Sequence, residues 1–169
     1  MEQTIDIKNA YKLFWKLSFR MSGRANRLEF WIPCLINFLI SAVLFALLTI
    51  IDALLGYSAK ETSLFNDIVS YGFSIIVLPP SIAVTSRRLH DININGWWGL
   101  IPNLLLYIYL IAVVFEVYYC LAHPHFLDDT FVVINIIGLI LVIIIYIVFI
   151  ILLSLKGQSH PNKYGDVRH

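Results

Sequence analysis

Thr130–Leu155 reads TFVVINIIGLILVIIIYIVFIILLSL, a run without an Asp, Glu, Lys, Arg or His. A hydrocarbon layer of about 30 Å takes about 20 helical residues to cross, so this run is long enough to span a bilayer. Ile and Val dominate it, which in water would favour a strand. In lipid the backbone has no water to bond, and a helix satisfies every peptide group within its own segment, so the run is read as a transmembrane helix.

Three further runs upstream have the same character. Trp31–Ile51 contains no ionisable side chain and continues past Asp52 to Leu55, Ile68–Ser86 is a second, and Trp97–Phe115 continues past Glu116 to Leu121. The predicted spans are therefore about 31–55, 68–86, 97–121 and 130–155. Composition agrees. Of 169 residues, 59% are hydrophobic and 14% charged, whereas a soluble domain carries about a quarter charged residues. A soluble fold of this size could not hide the excess apolar surface from water. A cleavable leader is not expected, because charged and aromatic sequence precedes a first apolar run that is too long for a signal core. The predicted fold class is an all-α integral membrane protein, one four-helix domain over residues 1–169 with an amphipathic interfacial helix at its start.

The distribution of Lys and Arg predicts the orientation. Lys8, Lys12, Lys16, Arg20, Arg24 and Arg27 precede the first span, Arg87 and Arg88 lie between the second and third, and Lys156, Lys163 and Arg168 follow the fourth. Only Lys60, of 12 basic residues, falls on the other side. The positive-inside rule then places both termini, the 87–98 connection and the 156–169 tail in the cytoplasm. Cys34 and Cys120 fall in opposite leaflets, too far apart for a disulfide, so two free thiols are expected.

Residues 5–22 form the predicted amphipathic helix. Ile7, Tyr11, Phe14, Leu17 and Met21 recur at helical spacing, and Lys8, Lys12, Lys16 and Arg20 step by four along another side. Such a helix fits the inner headgroup layer, its basic stripe against anionic lipids. Docking to a protein partner is the alternative. Next, Arg24 and Arg27 share a helical face just before Glu29 and the boundary aromatics Phe30 and Trp31. The connection between spans two and three packs Arg87, Arg88, His90 and Asp91 into a short segment, and Lys156–Asp166 forms a polar tail rich in Gly and Pro. Topology alone brings all three to one end.

Gly-Arg-x-x-Arg-x-Glu-Phe-Trp (Gly23–Trp31), Arg-Arg-Leu-His-Asp (Arg87–Asp91) followed by Gly-Trp-Trp (Gly96–Trp98), and Asn-Lys-Tyr-Gly-Asp (Asn162–Asp166) occur in this order. Together they resemble the bacterial family called domain of unknown function 805, small inner-membrane proteins of the YhaH and YhaI type. The resemblance runs from Gly23 to Asp166, with Lys163 where Arg is common and Val167 where Pro is frequent. It implies a multi-pass protein of the bacterial inner membrane and carries no activity with it.

Arg24, Arg27, Glu29, Arg87, Arg88, His90 and Asp91 are the candidate ligand-binding residues. Guanidinium pairs bind phosphate and carboxylate oxygens bidentately, and His moves protons near neutral pH. The competing reading is a structural network in which Glu29 and Asp91 neutralise Arg24, Arg27, Arg87 or Arg88, the two aromatic clusters fix helix depth, and nothing turns over. Within the spans, Asn37 and Asn103 each follow a boundary Trp by six residues and are expected at similar depth, as polar residues that bond between helices. His123 and His125 with Asp128 and Asp129 only superficially resemble metal-ligand spacing, so no metal is expected. Without a Cys-x-x-Cys, a phosphate-cradling Gly loop or a nucleophile elbow, no catalytic residue and no cofactor is expected either. The function read from the chain is non-enzymatic binding of an anionic ligand, lipid headgroup or protein partner at the cytoplasmic face. The partners expected are anionic membrane lipids and a membrane protein or second copy, with no nucleic acid. A small oligomeric transporter or channel subunit and a membrane-embedded lipid-modifying enzyme are the alternatives.

Overall fold

The computed structural model describes residues 6–58, 62–122 and 129–167. Helices dominate the described residues: α1 (Ile7–Lys16), α2 (Arg27–Leu54), α3 (Leu64–Asp91), a 3₁₀ turn (Gly96–Gly99), α4 (Leu100–Ala122) and α5 (Asp129–Ser154). The last four helices are long and apolar enough to cross a membrane. Large apolar side chains such as Phe38, Phe45, Ile75 and Phe115 point away from the protein. They would be untenable in water and are the expected surface in lipid.

The starts of α2 and α3 have local causes. Asn26 caps α2: its side chain accepts from Glu29 N at 2.9 Å, and the Glu29 carboxylate accepts from Asn26 N at 3.2 Å. This capping box satisfies two amides that a helix N-terminus otherwise leaves open. Ser63 caps α3 through Asn66 N. At that same end Asp52 of α2 accepts from Ser63 Oγ at 2.5 Å and from Asn66 Nδ2 at 2.6 Å, which ties the α2–α3 hairpin together. The sequence reading treated Asp52 only as an interruption of the first apolar run.

Two expectations are corrected. The amphipathic helix is shorter than residues 5–22: it stops at Lys16, and the chain then turns, with Ser18 Oγ bonded to Trp15 O at 2.6 Å. A serine hydroxyl that bonds the backbone locally competes with helix continuation. Its apolar face also packs on the protein rather than lying wholly against the headgroup layer. Ala10 and Phe14 are buried, and Tyr11 OH donates to Asn37 Oδ1 of α2 at 3.2 Å, while Lys8, Lys12 and Lys16 stay exposed. The second correction concerns Arg87–Asp91, expected in a connecting loop. These residues instead form the last turn of α3, which runs unbroken through Pro79 and Pro80. The helix outlasts the apolar run because its terminal polar side chains find partners of their own.

α3 is the central element and packs on α1, α2, the 3₁₀ turn, α4 and α5. Its last two turns are almost wholly buried, and the core of Phe14, Ala25, Phe30, Val84, Leu89, Phe149 and Leu153 surrounds them. α4 and α5 are joined by Tyr109 OH on Asn135 O, Tyr146 OH on Pro102 O, and Asn135 Nδ2 on Glu116 Oε2. Cys34 is a free thiol, whereas the Cys120 side chain lies outside the described residues.

Candidate functional site

Asp91 ends α3, where a carboxylate opposes the negative end of the helix dipole. Two arginines from distant parts of the chain compensate. Arg24 places Nε at 2.9 Å and Nη2 at 2.8 Å from Asp91 Oδ1, and Arg88, one helical turn back, binds Oδ2 through Nη1. Arg24, Arg88 and Asp91 are only 2%, 0% and 4% exposed. The remaining guanidinium protons go to backbone carbonyls. Arg24 Nη1 donates to His160 O at 2.9 Å and Nη2 to Gln158 O at 2.5 Å. Arg88 donates from Nε to Leu153 O at 2.9 Å, from Nη2 to Leu155 O, and from Nη1 to Ala25 O at 3.4 Å. Leu153 and Leu155 lie at the end of α5, where carbonyls lack helical partners and carry partial negative charge, so a cation fits there.

The tail folds back on this centre. Gln158 N donates to Asp91 O at 2.9 Å, and Asn162 Nδ2 donates to His90 O at 3.0 Å. Asn162 and Gly165 exchange backbone bonds at 3.1 and 3.0 Å, forming a tight loop that presents Tyr164. Tyr164 stacks on His90 with ring centroids 3.7 Å apart and 10° between planes. His90 Nδ1 lies 3.0 Å from Gly23 O, and since a carbonyl only accepts, Nδ1 carries the proton. Gly157 is required by close approach: a Cβ there would lie 1.9 Å from Asp91 Oδ2. Gly96 covers the other side, where a Cβ would lie 2.6 Å from His90 Nε2.

Arg24, Arg88 and Asp91 thus share one network, with His90 on its flank. Glu29 is buried in the capping box of α2. Arg87 is buried as well: its Nε donates to Ala83 O at 3.2 Å, and its own carbonyl accepts from Ala25 N at 3.0 Å. The ion pairs of Asp91 with Arg24 and Arg88 are buried, because the tail and α5 cover the cluster. Arg27 remains exposed. It borders a pocket of about 280 Å³ whose other walls include Asn26, Lys156 and Ser159, above Arg88 and Asp91. Lys156 and Ser159 were not among the sequence candidates; their signal was the Lys156–Asp166 cluster at the same end.

Asn37 and Asn103 do not bond each other. Asn37 accepts from Tyr11, whereas Asn103 Nδ2 donates to Gly99 O at 2.7 Å and Thr85 Oγ1 at 3.2 Å. Both line one intramembrane cavity. The His123, His125 and Asp128 cluster lies outside the described residues, as does the Asp129 side chain.

A family profile described as "Protein of unknown function (DUF805)" matches residues 18–166. The chain is 33% identical over 94 residues to the inner membrane protein YhaH of Escherichia coli (strain K12), covering 56% of this chain and 72% of that protein. It is 31% identical over 94 residues to the inner membrane protein YhaI of the same organism, covering 56% and 70%. No solved structure matches.

Proposed function

This chain belongs to the DUF805 family of proteins of unknown function, and from that premise we propose a non-enzymatic inner-membrane protein whose cytoplasmic end binds a phosphate-bearing anionic group. The orientation rests on the positive-inside rule, with both termini and the Asp91 network in the cytoplasm. One observation carries the reading. The pocket bordered by Arg27 and Lys156 gathers more positive than negative charge. Of the residues lining it, Arg27, Arg88 and Lys156 are cationic and Asp91 is anionic. Arg88 already binds Asp91 and carbonyls, so it shapes the wall. Arg27 and Lys156 are the exposed cations left to meet a ligand, with Ser159 and Asn26 as hydrogen-bonding neighbours. The exposed lysines of α1 add attraction to an anionic leaflet.

The reading is non-enzymatic because the His90 ring is enclosed: Tyr164 stacks on one face, and Gly96 lies so close to Nε2 that a Cβ there would come within 2.6 Å of it. Thermal unfolding of the purified protein, titrated with phosphatidylglycerol, phosphatidylcholine or inorganic phosphate, tests the proposal. Stabilisation by phosphatidylglycerol alone identifies a lipid headgroup, and equal stabilisation by inorganic phosphate identifies a free anion. Each surface cation is worth about 1 kcal/mol toward an anionic headgroup, so Arg27→Gln with Lys156→Gln should weaken binding about 30-fold. Equal response to phosphatidylcholine, or an unchanged response in the double variant, would refute the reading.

A further inference from the structure

A cavity of about 380 Å³ lies between α2 and α4, with α3 along one wall and Phe14 of α1 and Tyr146 of α5 also lining it. It shares no wall residue with the pocket at Arg27 and Lys156. No ionisable Asp, Glu, Lys, Arg or His lines it among the described residues, yet Asn37, Ser41, Ser74, Ser81, Asn103 and Tyr107 do. A charged ligand would enter a low-dielectric site with no counter-charge, which is costly. A purely hydrocarbon occupant would leave amide groups unmatched, which is also costly.

The two asparagines define what fits between these limits. Asn37 accepts from Tyr11 OH through Oδ1, which leaves its Nδ2 protons without a protein acceptor among the described residues. Asn103 has the opposite arrangement: Nδ2 is committed to Gly99 O and Thr85 Oγ1, which leaves Oδ1 as an acceptor. A ligand hydroxyl both donates and accepts, so it complements the pair. The cavity also reaches the lipid-facing surface, since Phe38 on its wall is 69% exposed and Leu106 is 40% exposed. An apolar tail can leave there into the bilayer. The volume falls in the range of small-molecule sites, about 300–1,000 Å³. We infer that this cavity binds an uncharged, hydroxyl-bearing amphiphile of the acylglycerol type, its hydroxyls bonded to Asn37 and Asn103 and its tail passing Phe38 and Leu106.

The test is photocross-linking of the full chain in lipid nanodiscs with a monoacylglycerol that carries a diazirine in its acyl chain. Cross-links should concentrate on residues 38–41 and 103–107 and fall when unlabelled monoacylglycerol is added in excess. Asn37→Leu should reduce them about five-fold, the size expected when one hydrogen bond is lost. Ser41→Phe fills the mouth from an exposed position, where folding is not challenged, and should reduce them as much. The analogue with a phosphate on the glycerol should not compete. Labelling spread over lipid-facing Phe45, Ile75 and Ile143, labelling that survives Ser41→Phe, or equal competition by the phosphate analogue would overturn the inference.

Discussion

Replacing Asp91 with Asn removes one charge, keeps the shape, and leaves two buried guanidinium groups without their shared counter-ion. The expected cost follows from the geometry. Arg24 meets a single oxygen, Oδ1, through two nitrogens at 2.9 and 2.8 Å. An amide oxygen can keep those bonds, but charge-assisted bonds are about twice as strong as neutral ones, so about 1 kcal/mol is lost there. At Oδ2 the new amide nitrogen faces Arg88 Nη1, donor against donor, and that bond is lost outright. Arg88 retains carbonyl oxygens of Leu153, Leu155 and Ala25, which limits the damage. Removing one member of a buried pair costs about 3–5 kcal/mol, and the sum here falls in that range. Reversible unfolding in bicelles, followed by steric trapping, measures it. Asp166→Asn, at an exposed tail position, serves as the control and should stay within about 0.5 kcal/mol of the parent. The tail of the Asp91→Asn variant should also become sensitive to limited proteolysis between residues 156 and 166, because Arg24 and Asp91 jointly hold Gln158 and His160. A loss below about 1 kcal/mol, the size of a solvent-screened pair, would refute the buried network.

Other outcomes follow from the same contacts. Arg88→Lys should cost about 2 kcal/mol in the unfolding assay, because an ammonium cannot reach Asp91, Leu153 and Leu155 as three separate guanidinium nitrogens do. Gly157→Ala should destabilise by about 1–3 kcal/mol through the clash with Asp91 Oδ2 and should raise tail proteolysis. Tyr164→Ala removes the ring stacked on His90 and should cost about 1 kcal/mol, seen as faster amide exchange at residues 158–165 with the spans unchanged.

The spans were legible because lipid imposes a simple rule: Trp31–Ile51 or Thr130–Leu155 has no soluble alternative that hides so much apolar surface. Arg24, Arg88 and Asp91 could be assigned to one end by topology, but not to one another. Their pairing depends on the end of α5 and the tail beyond it, more than 60 positions downstream, supplying carbonyl oxygens to Arg88 and Arg24, and no local pattern encodes that return. Burial was not legible for the same reason, since Leu153 and Gln158, which cover the arginines, lie far from them in sequence. Gly157 carried a signal that could not be decoded without Asp91 above it. The Asp52, Ser63 and Asn66 cluster was missed because its members straddle a hairpin turn, 11 and 14 positions apart, and each alone reads as an ordinary boundary residue.

The most direct measurement is native mass spectrometry of the protein released from nanodiscs that contain phosphatidylglycerol and phosphatidylcholine in equal amounts. The account predicts that phosphatidylglycerol is retained preferentially and that this preference disappears in the Arg27→Gln, Lys156→Gln double variant while the protein remains folded. Retention of the two lipids in equal amounts by the parent protein, or an unchanged preference in the double variant, would contradict it.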